Sequence, residues 1–308
     1  APLSPKTPWS EIMREYWENN QIKIVPWLLL LPALFMFSIY VIYPIIQSLS
    51  LSFFEWDGLA DEKTFVGMNN YLELFDDDVF WTSLKNNLIW VIFYLLSPPI
   101  GLAIALFLNQ QGLGMRLVKS LFFFPFVISQ IVVGLMFTWF YDPSFGLLNT
   151  VLQGVGLIKE PIAALSSESG VTNAIVFAGL WPQIAYCMIL YLTGLNGISR
   201  GQIEAASLDG CSGFRMLWHV ILPQLRPATF IAIVVTVIGS LRSFDLNAIM
   251  TAGGPYNSSS VLAFFMYEQS ITNYRMGYGA AIATVLFLIM SFYIAYFLTR
   301  MLQQERIR

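Results

Sequence analysis

Residues 171–195 read VTNAIVFAGLWPQIAYCMILYLTGL, a run without a single charged side chain. About 20 consecutive apolar residues in helical form cross the hydrocarbon of a bilayer. There, a helix or a closed barrel is what satisfies the backbone's own polar groups. The run therefore predicts a membrane-spanning helix. Working outward, Ser120–Tyr141, Leu88–Leu108 and Pro26–Ser50 upstream, and Tyr278–Thr299 downstream, meet the same criterion. A sixth, Pro227–Met250, is apolar apart from Arg242 and Asp245. Prolines at 32, 44, 98, 99, 125 and 182 predict kinks, because neighbouring helices can satisfy the carbonyls that each proline frees.

Composition agrees. Of 308 residues, 11% are charged and 56% hydrophobic, whereas a soluble domain carries about 25% charged residues. A net charge of −3 and the absence of a basic stripe exclude a nucleic-acid partner. Two cysteines, Cys187 and Cys211, and one histidine, His219, form no metal-ligand spacing, so no metal site is expected. Pro26–Ser50 is too long for a signal-peptide core and has no small-residue cleavage pattern after it. It is expected to be a spanning helix.

Lys and Arg set the orientation. One alternating set of loops and termini holds Lys6, Arg14, Lys23, Arg116, Lys119, Arg200, Arg215, Arg226, Arg300, Arg306 and Arg308. The other holds only Lys63, Lys85, Lys159 and Arg275. Both termini and the loop 200–226 are therefore expected in the cytoplasm. The acidic run Asp76, Asp77 and Asp78 reads as a solvated outer loop face, with cation or partner capture as the alternative. Residues 1–25 form an N-terminal segment in which Trp9, Ile12, Met13, Tyr16 and Trp17 recur at helical spacing among charges, the pattern of an interfacial amphipathic helix. Residues 26–300 form the membrane domain and 301–308 a cytoplasmic tail.

The most specific motif is Glu204-Ala205-Ala206-Ser207-Leu208-Asp209-Gly210, followed after nine residues by Val220-Ile221-Leu222-Pro223. It closely resembles the EAA loop of ABC importer permeases, with Val220 where isoleucine is usual. The resemblance implies an all-α polytopic chain of six transmembrane helices, the type I importer permease fold. It also implies that Glu204, Ala205, Ala206, Asp209, Gly210 and Phe214 belong to a coupling helix that docks on a separate ATPase subunit. The other reading of this loop is an ordinary amphipathic turn. Further stretches narrow the likeness: Phe244-Asp245, Thr251-Ala252-Gly253-Gly254-Pro255, Met266-Tyr267, Gly277-Tyr278-Gly279-Ala280-Ala281, Phe65-Val66-Gly67-Met68-Asn69-Asn70-Tyr71 and Ser144-Phe145-Gly146-Leu147-Leu148-Asn149. These resemble carbohydrate-uptake permeases of the maltose and glycerol-phosphate type, and within them the main, sugar-holding subunit of the maltose permease.

Polar groups at bilayer depth are functional candidates. Thr236, Gly239, Ser240 and Ser243 fall on one helical face at i, i+3, i+4 and i+7. That face suits a polar pathway or close packing through small residues. The resemblance favours the pathway and adds Gln183, Tyr186 and Gln130 to it. Amides, hydroxyls and an aromatic wall suit a neutral polyhydroxylated ligand. Arg242 and Asp245, at i and i+3, read as a structural ion pair, with Arg242 on an anionic substituent of the substrate as the alternative.

No phosphate-binding loop of the G-x-x-x-x-G-K-[ST] kind occurs, so ATP and Mg are expected on partner subunits. The resemblance implies a second permease subunit, a different chain, together with two ATPase subunits, an extracytoplasmic substrate-binding protein and the bacterial cytoplasmic membrane. A sugar, oligosaccharide, glycoside or polyol is the implied cargo, with an anionic sugar derivative such as a glycerol phosphate as an alternative. Two other classes fit less well. An ion-coupled secondary transporter needs midplane carboxylates, which Asp245 alone approaches, and a membrane enzyme needs a catalytic constellation.

Overall fold

The computed structural model describes residues 9–306 apart from 111 and 113, with the side chains of 9–21, 24, 302 and 304–306 left undescribed. The chain divides after Leu51 into two units. In the first, α1 (Trp9–Phe37) runs through a π-helical turn, Ser38–Ile42, into α2 (Tyr43–Leu51). The backbone of the expected N-terminal helix is thus continuous with the first span. Its amphipathic side chains lie outside the described residues.

The second unit opens with a two-stranded antiparallel ribbon, β1 (Phe54–Glu55) and β2 (Thr64–Phe65), in which Phe54 pairs with Phe65. Then come α3 (Asn69–Asp76), α4 (Asp78–Tyr94), α5 (Ser97–Leu108), α6 (Met115–Val127), α7 (Gln130–Phe140) and α8 (Leu147–Gly154). The long α9 (Val171–Asn196) follows, then α10 (Arg200–Leu208), α11 (Gly213–Met216), a π-helical turn at Leu217–Ile221 and α12 (Leu222–Gln224). Last are α13 (Arg226–Leu241), α14 (Asp245–Met250), α15 (Leu262–Tyr267), a third π-helical turn at Glu268–Thr272 and α16 (Met276–Arg306). Five stretches are long and apolar enough to cross a membrane, and α6 with α7 makes a sixth as a pair bent by 98°.

Two π-helical turns have a common cause. Each closes one residue before a proline, at Tyr43-Pro44 and Leu222-Pro223, through bonds from Tyr43 N to Ser38 O and from Leu222 N to Leu217 O. A proline ring crowds the carbonyl four residues back, and widening the preceding turn relieves it. Pro98 and Pro99 instead open α5, where a missing N–H costs nothing.

Four expected spans differ in detail. The second span begins at Asp78 rather than Leu88, because the Asp77 carboxylate accepts from Val79 N at 2.8 Å and caps α4. Lys85 therefore lies within the helix, not in a loop. The third span is not one helix: Ile128 and Ser129 are extended, with ψ of 138° and 139°, and separate α6 from α7. The fifth spans Arg226–Met250, within one residue of the expected bounds, but inside it α13 stops at Leu241, with Arg242 as its cap, and α14 restarts at Asp245. The sixth extends to Arg306, so the described part of the expected tail is helical.

Side-chain amides attach the loops to the bundle. Asn86 of α4, 4% exposed, donates to Ser258 O at 2.7 Å and Ser260 O at 2.8 Å, and accepts from Thr172 of α9 at 3.1 Å. Its neighbour Asn87 donates to Leu241 O and accepts from Leu262 N at 2.9 Å. Asn247 of α14 donates to Ser259 O at 2.7 Å. Asn86 and Asn247, with Thr172, clamp the loop 251–261 onto α4, α9 and α14, and Asn87 ties α4 to the end of α13 and the start of α15. Elsewhere Asn70 holds Ser52 O and Phe54 O, and Asn149 holds Ile162 through both its N–H and its carbonyl. Asp77, besides capping α4, accepts from the Tyr278 hydroxyl at 2.8 Å, and Glu73 pairs with Arg275 at 2.7 Å. Within the acidic run, Asp77 is therefore a structural tie between α4 and α16.

Asn86→Ala takes from the Ser260 carbonyl the donor that Asn86 gives it and leaves the half-buried Ser258 carbonyl with only the Thr172 hydroxyl at 3.2 Å, a loss of about 1–3 kcal/mol. A lowered unfolding temperature in detergent is expected, with the exposed Gln202→Ala unchanged; equal unfolding of the two variants would remove Asn86 from the clamp.

Candidate functional site

The loop 200–226 carries several large apolar side chains exposed at one end of the second unit. Helix α10 closes in a Schellman motif: Cys211 N donates to Ala206 O at 2.9 Å and Gly210 N to Ser207 O at 3.1 Å. Gly210 has φ +77°, in the left-handed region that only glycine enters without strain. The chain therefore turns back sharply, and α11 begins at Gly213. Leu208 is 90% exposed, Phe214 73% and Trp218 59%, with the last two rings stacked 6.0 Å apart. Glu204, Ala205 and Asp209 are exposed beside them, while Ala206 is half-buried. The six residues predicted for coupling thus share one short helix and its exit. Large apolar side chains left this open on a polar loop mark a docking surface.

The residues predicted for a pathway do not form one open face. Thr236 and Ser240 are fully buried, and Ser240 donates back to Val237 O at 2.8 Å. Ser243 follows the end of α13 and lies 3.2 Å from Asn247 Oδ1. Gly239, in contrast, is exposed, and a Cβ built there meets no atom within 4 Å. Within α13 the roughly 100° step from Gly239 to Ser240 separates an open side from a packed side, and the break after Leu241 removes Ser243 from the predicted stripe.

Gln183 and Thr236 are brought together. Gln183 Nε2 donates to Thr236 Oγ1 at 2.8 Å, and Cys187 Sγ lies 3.6 Å from that hydroxyl and 3.5 Å from Ser97 Oγ. This cluster joins α5, α9 and α13 at bilayer depth. Its close packing also shows at Gly101, where a Cβ would sit 2.7 Å from Cys187 Cβ. Tyr186 faces another neighbour, with its ring 5.5 Å from Phe126 of α6. Gln130 is half-buried at the first position of α7, directly after the break.

The predicted Arg242–Asp245 ion pair is corrected. Both side chains are exposed, and among the described residues no ion pair joins them. The i, i+3 argument assumed one continuous helix, but the helix ends between them. Arg242 follows Gly239 by three residues, so the cation borders the open side of α13.

Sequence reasoning overlooked Ser83, Asn86, Asn87 and Asn247, all buried and all bonded to other segments of the chain, chiefly the loop 251–261. The signal was present as polar residues at helical spacing just outside, or unremarked within, the apolar windows. A groove of about 930 Å³ between α4, α5, α7 and α9 was likewise not foreseen. Phe93, Phe137, Trp139, Phe177 and Trp181 are among its apolar walls, and none of the predicted pathway residues lines it.

Comparison with known proteins places these features in context. The family described as "Binding-protein-dependent transport system inner membrane component" matches residues 97–308. The probable ABC transporter permease protein YurN of Bacillus subtilis is 37% identical over 273 residues, covering 88% of this chain and 93% of that protein. The sulfoquinovosyl glycerol transport system permease protein SmoG of Agrobacterium fabrum is 31% identical, covering 88% of each. A crystal structure of a bacterial ABC transporter involved in the import of the acidic polysaccharide alginate superposes with a TM-score of 0.76 at 22% identity. It covers 92% of this chain and 98% of its own.

The open surroundings of Gly239 give an expected outcome. Gly239→Trp should unfold within about 0.5 kcal/mol of the parent, as an unpacked site allows, whereas Ser240→Trp, on the packed side, should lower the unfolding temperature markedly. Destabilisation by Gly239→Trp would make that position a packing site instead.

Proposed function

The chain belongs to the binding-protein-dependent transport system inner membrane components, the permeases of ABC transporters, and from that premise we propose that it is one of two permease subunits of an importer for sugars or related polyols. The observation that carries the coupling part is the exposed Leu208, Phe214 and Trp218 cluster on a helix held to its exit by Gly210. In this reading a groove of a separate ATPase subunit covers that cluster, and the loop lies in the cytoplasm with both termini. ATP and Mg bind the ATPase subunits. Their closure moves α10, and the membrane cavity alternates between its two openings. Substrate arrives from an extracytoplasmic binding protein on the opposite side, where the loop 251–261 lies.

The pathway runs along the open side of α13, past Gly239. Gln183 and Thr236, already bonded to each other, set its inner wall rather than offering free groups to the cargo. Hydroxyl-rich ligands gain several modest hydrogen bonds and rest apolar faces on aromatic rings, which supports a carbohydrate class. A second reading, an anionic sugar derivative, is favoured by one observation: Arg242 is exposed and forms no ion pair among the described residues. The likeness to SmoG, named for sulfoquinovosyl glycerol, fits that reading too.

Two experiments test the proposal. Gly210→Val forces a β-branched residue into left-handed φ, and Glu204→Lys reverses a charge on the docking face. Both are expected to lower uptake and substrate-stimulated ATP hydrolysis by about tenfold or more, equivalent to ~1.4 kcal/mol of lost coupling, while the chain still inserts and co-purifies with its permease partner. Uptake at the parental rate by both variants would remove α10 from the coupling role. Orientation is read separately: a membrane-impermeant thiol reagent should label the half-exposed Cys211 in inside-out vesicles and not in intact cells, and the buried Cys187 in neither. Labelling of Cys211 from outside the cell would invert the topology.

A further inference from the structure

Where the spanning helices end, the chain builds a second cleft of about 690 Å³ between the end of α5, the start of α6, the end of α9 and the first turns of α10. Arg116 and Lys119 of α6 and Arg200 of α10 line it, together with the amides of Asn109, Gln110 and Asn196. No carboxylate lines the cleft, and among the described residues none of the three cations takes part in an ion pair. On the other side of the membrane the chain does pair a cation, Arg275, with Glu73 at 2.7 Å. Three like charges gathered at one cleft repel each other, weakly because water reaches them, and together they favour an anion from elsewhere.

The surroundings define that anion. Leu108 and Asn196 end two spans, which sets the cleft at headgroup depth. Met115, Leu195, Ile198 and Ile203 form an apolar wall beside the cations. A small soluble anion would use the charges but not the wall. An anionic phospholipid uses both, with its phosphodiester among the cations and amides and its acyl chains along the wall. We propose that this cleft is a binding site for the headgroup of an anionic phospholipid of the cytoplasmic leaflet. The lipid ties α6, the first half of the bent span, to α10. The assignment of the leaflet and the importance of α10 rest on the permease reading above.

The test uses the whole importer, purified with its partner subunits and placed in nanodiscs containing equimolar phosphatidylcholine and phosphatidylglycerol. Lipids retained after mild delipidation are counted by native mass spectrometry. The complex is expected to retain phosphatidylglycerol in preference to phosphatidylcholine. The triple variant Arg116→Gln/Lys119→Gln/Arg200→Gln should weaken that retention on the order of a hundredfold. Arg116→Lys/Arg200→Lys, which keeps the charge, should preserve it and shows that the helices still form. Equal retention of the two lipids by the parent, or no change in the triple variant, overturns the proposal. Displacement of phosphatidylglycerol by excess inorganic phosphate alone would assign the site to a free anion, and overturns it as well. If the triple variant instead sheds its ATPase subunits while keeping the lipid, the cations serve protein docking. Failure of the parent chain to co-purify with any ATPase would strike the permease reading, and is scored independently of lipid retention.

Discussion

The amide of Asn86 holds together what lipid would otherwise separate. In hydrocarbon a free backbone carbonyl has no water to bond, so any non-helical segment near bilayer depth must borrow donors from side chains. Asn86 gives two donors to the carbonyls of Ser258 and Ser260 and takes one from Thr172. Asn87 and Asn247 repeat the arrangement on either side. Without these bonds the loop 251–261, with left-handed φ at Ala252, Gly253, Tyr256 and Asn257, could not lie against α4, α9 and α14. Interhelical bonds of this kind average about 0.6 kcal/mol each in a membrane, so the clamp works through their number and shared burial rather than the strength of one.

The same constraint sorts the motifs that drew attention in the sequence. Asn70 and Asn149 belong to stretches that resemble sugar permeases, and both turn out to bind loop backbone. In the Gly277-Tyr278-Gly279 stretch a Cβ on either glycine would strike Phe54 O or Ser270 Oγ, so those positions record close packing. Phe244 packs its ring against Tyr267 at 5.3 Å. Much of the likeness in these stretches is thus a record of how the loops are held.

Element type and number were legible because each span had to be about 20 residues of apolar helix, and Val171–Leu195 was found within one residue of its observed end. Helix ends and breaks were less legible. Hydropathy counts Asn86 and Asn87 as breaks in a span, whereas the structure buries them with partners, so α4 starts ten residues earlier than expected. Hydropathy averaged over a span also runs smoothly across Ile128-Ser129, where backbone conformation ends a helix, and Arg242 and Asp245 read as polar exceptions within one helix rather than as the two sides of a break. The Arg242–Asp245 pair was inferred from helical periodicity and does not form where the helix stops, and Ser243 leaves the predicted face for the same reason. The short helix before Gly210 was legible, since a left-handed glycine cap leaves a local signature that needs no tertiary information.

What remains open on α13 follows from its own helical geometry. Gly239 and Ser240 stand one step of roughly 100° apart on the same continuous helix. Thr236 and Ser240 therefore anchor to the bundle while Gly239 faces free space three residues before Arg242, which forms no ion pair among the described residues. The structural polar groups are those that find partners within the chain, and the candidates for cargo are those that do not. By that criterion Gly239 and Arg242 outrank Thr236 and Gln183, whose bond at 2.8 Å already satisfies them. Leu208, Phe214 and Trp218 stand out in the same way on the apolar side, with large exposed surface and no partner in this chain to cover it.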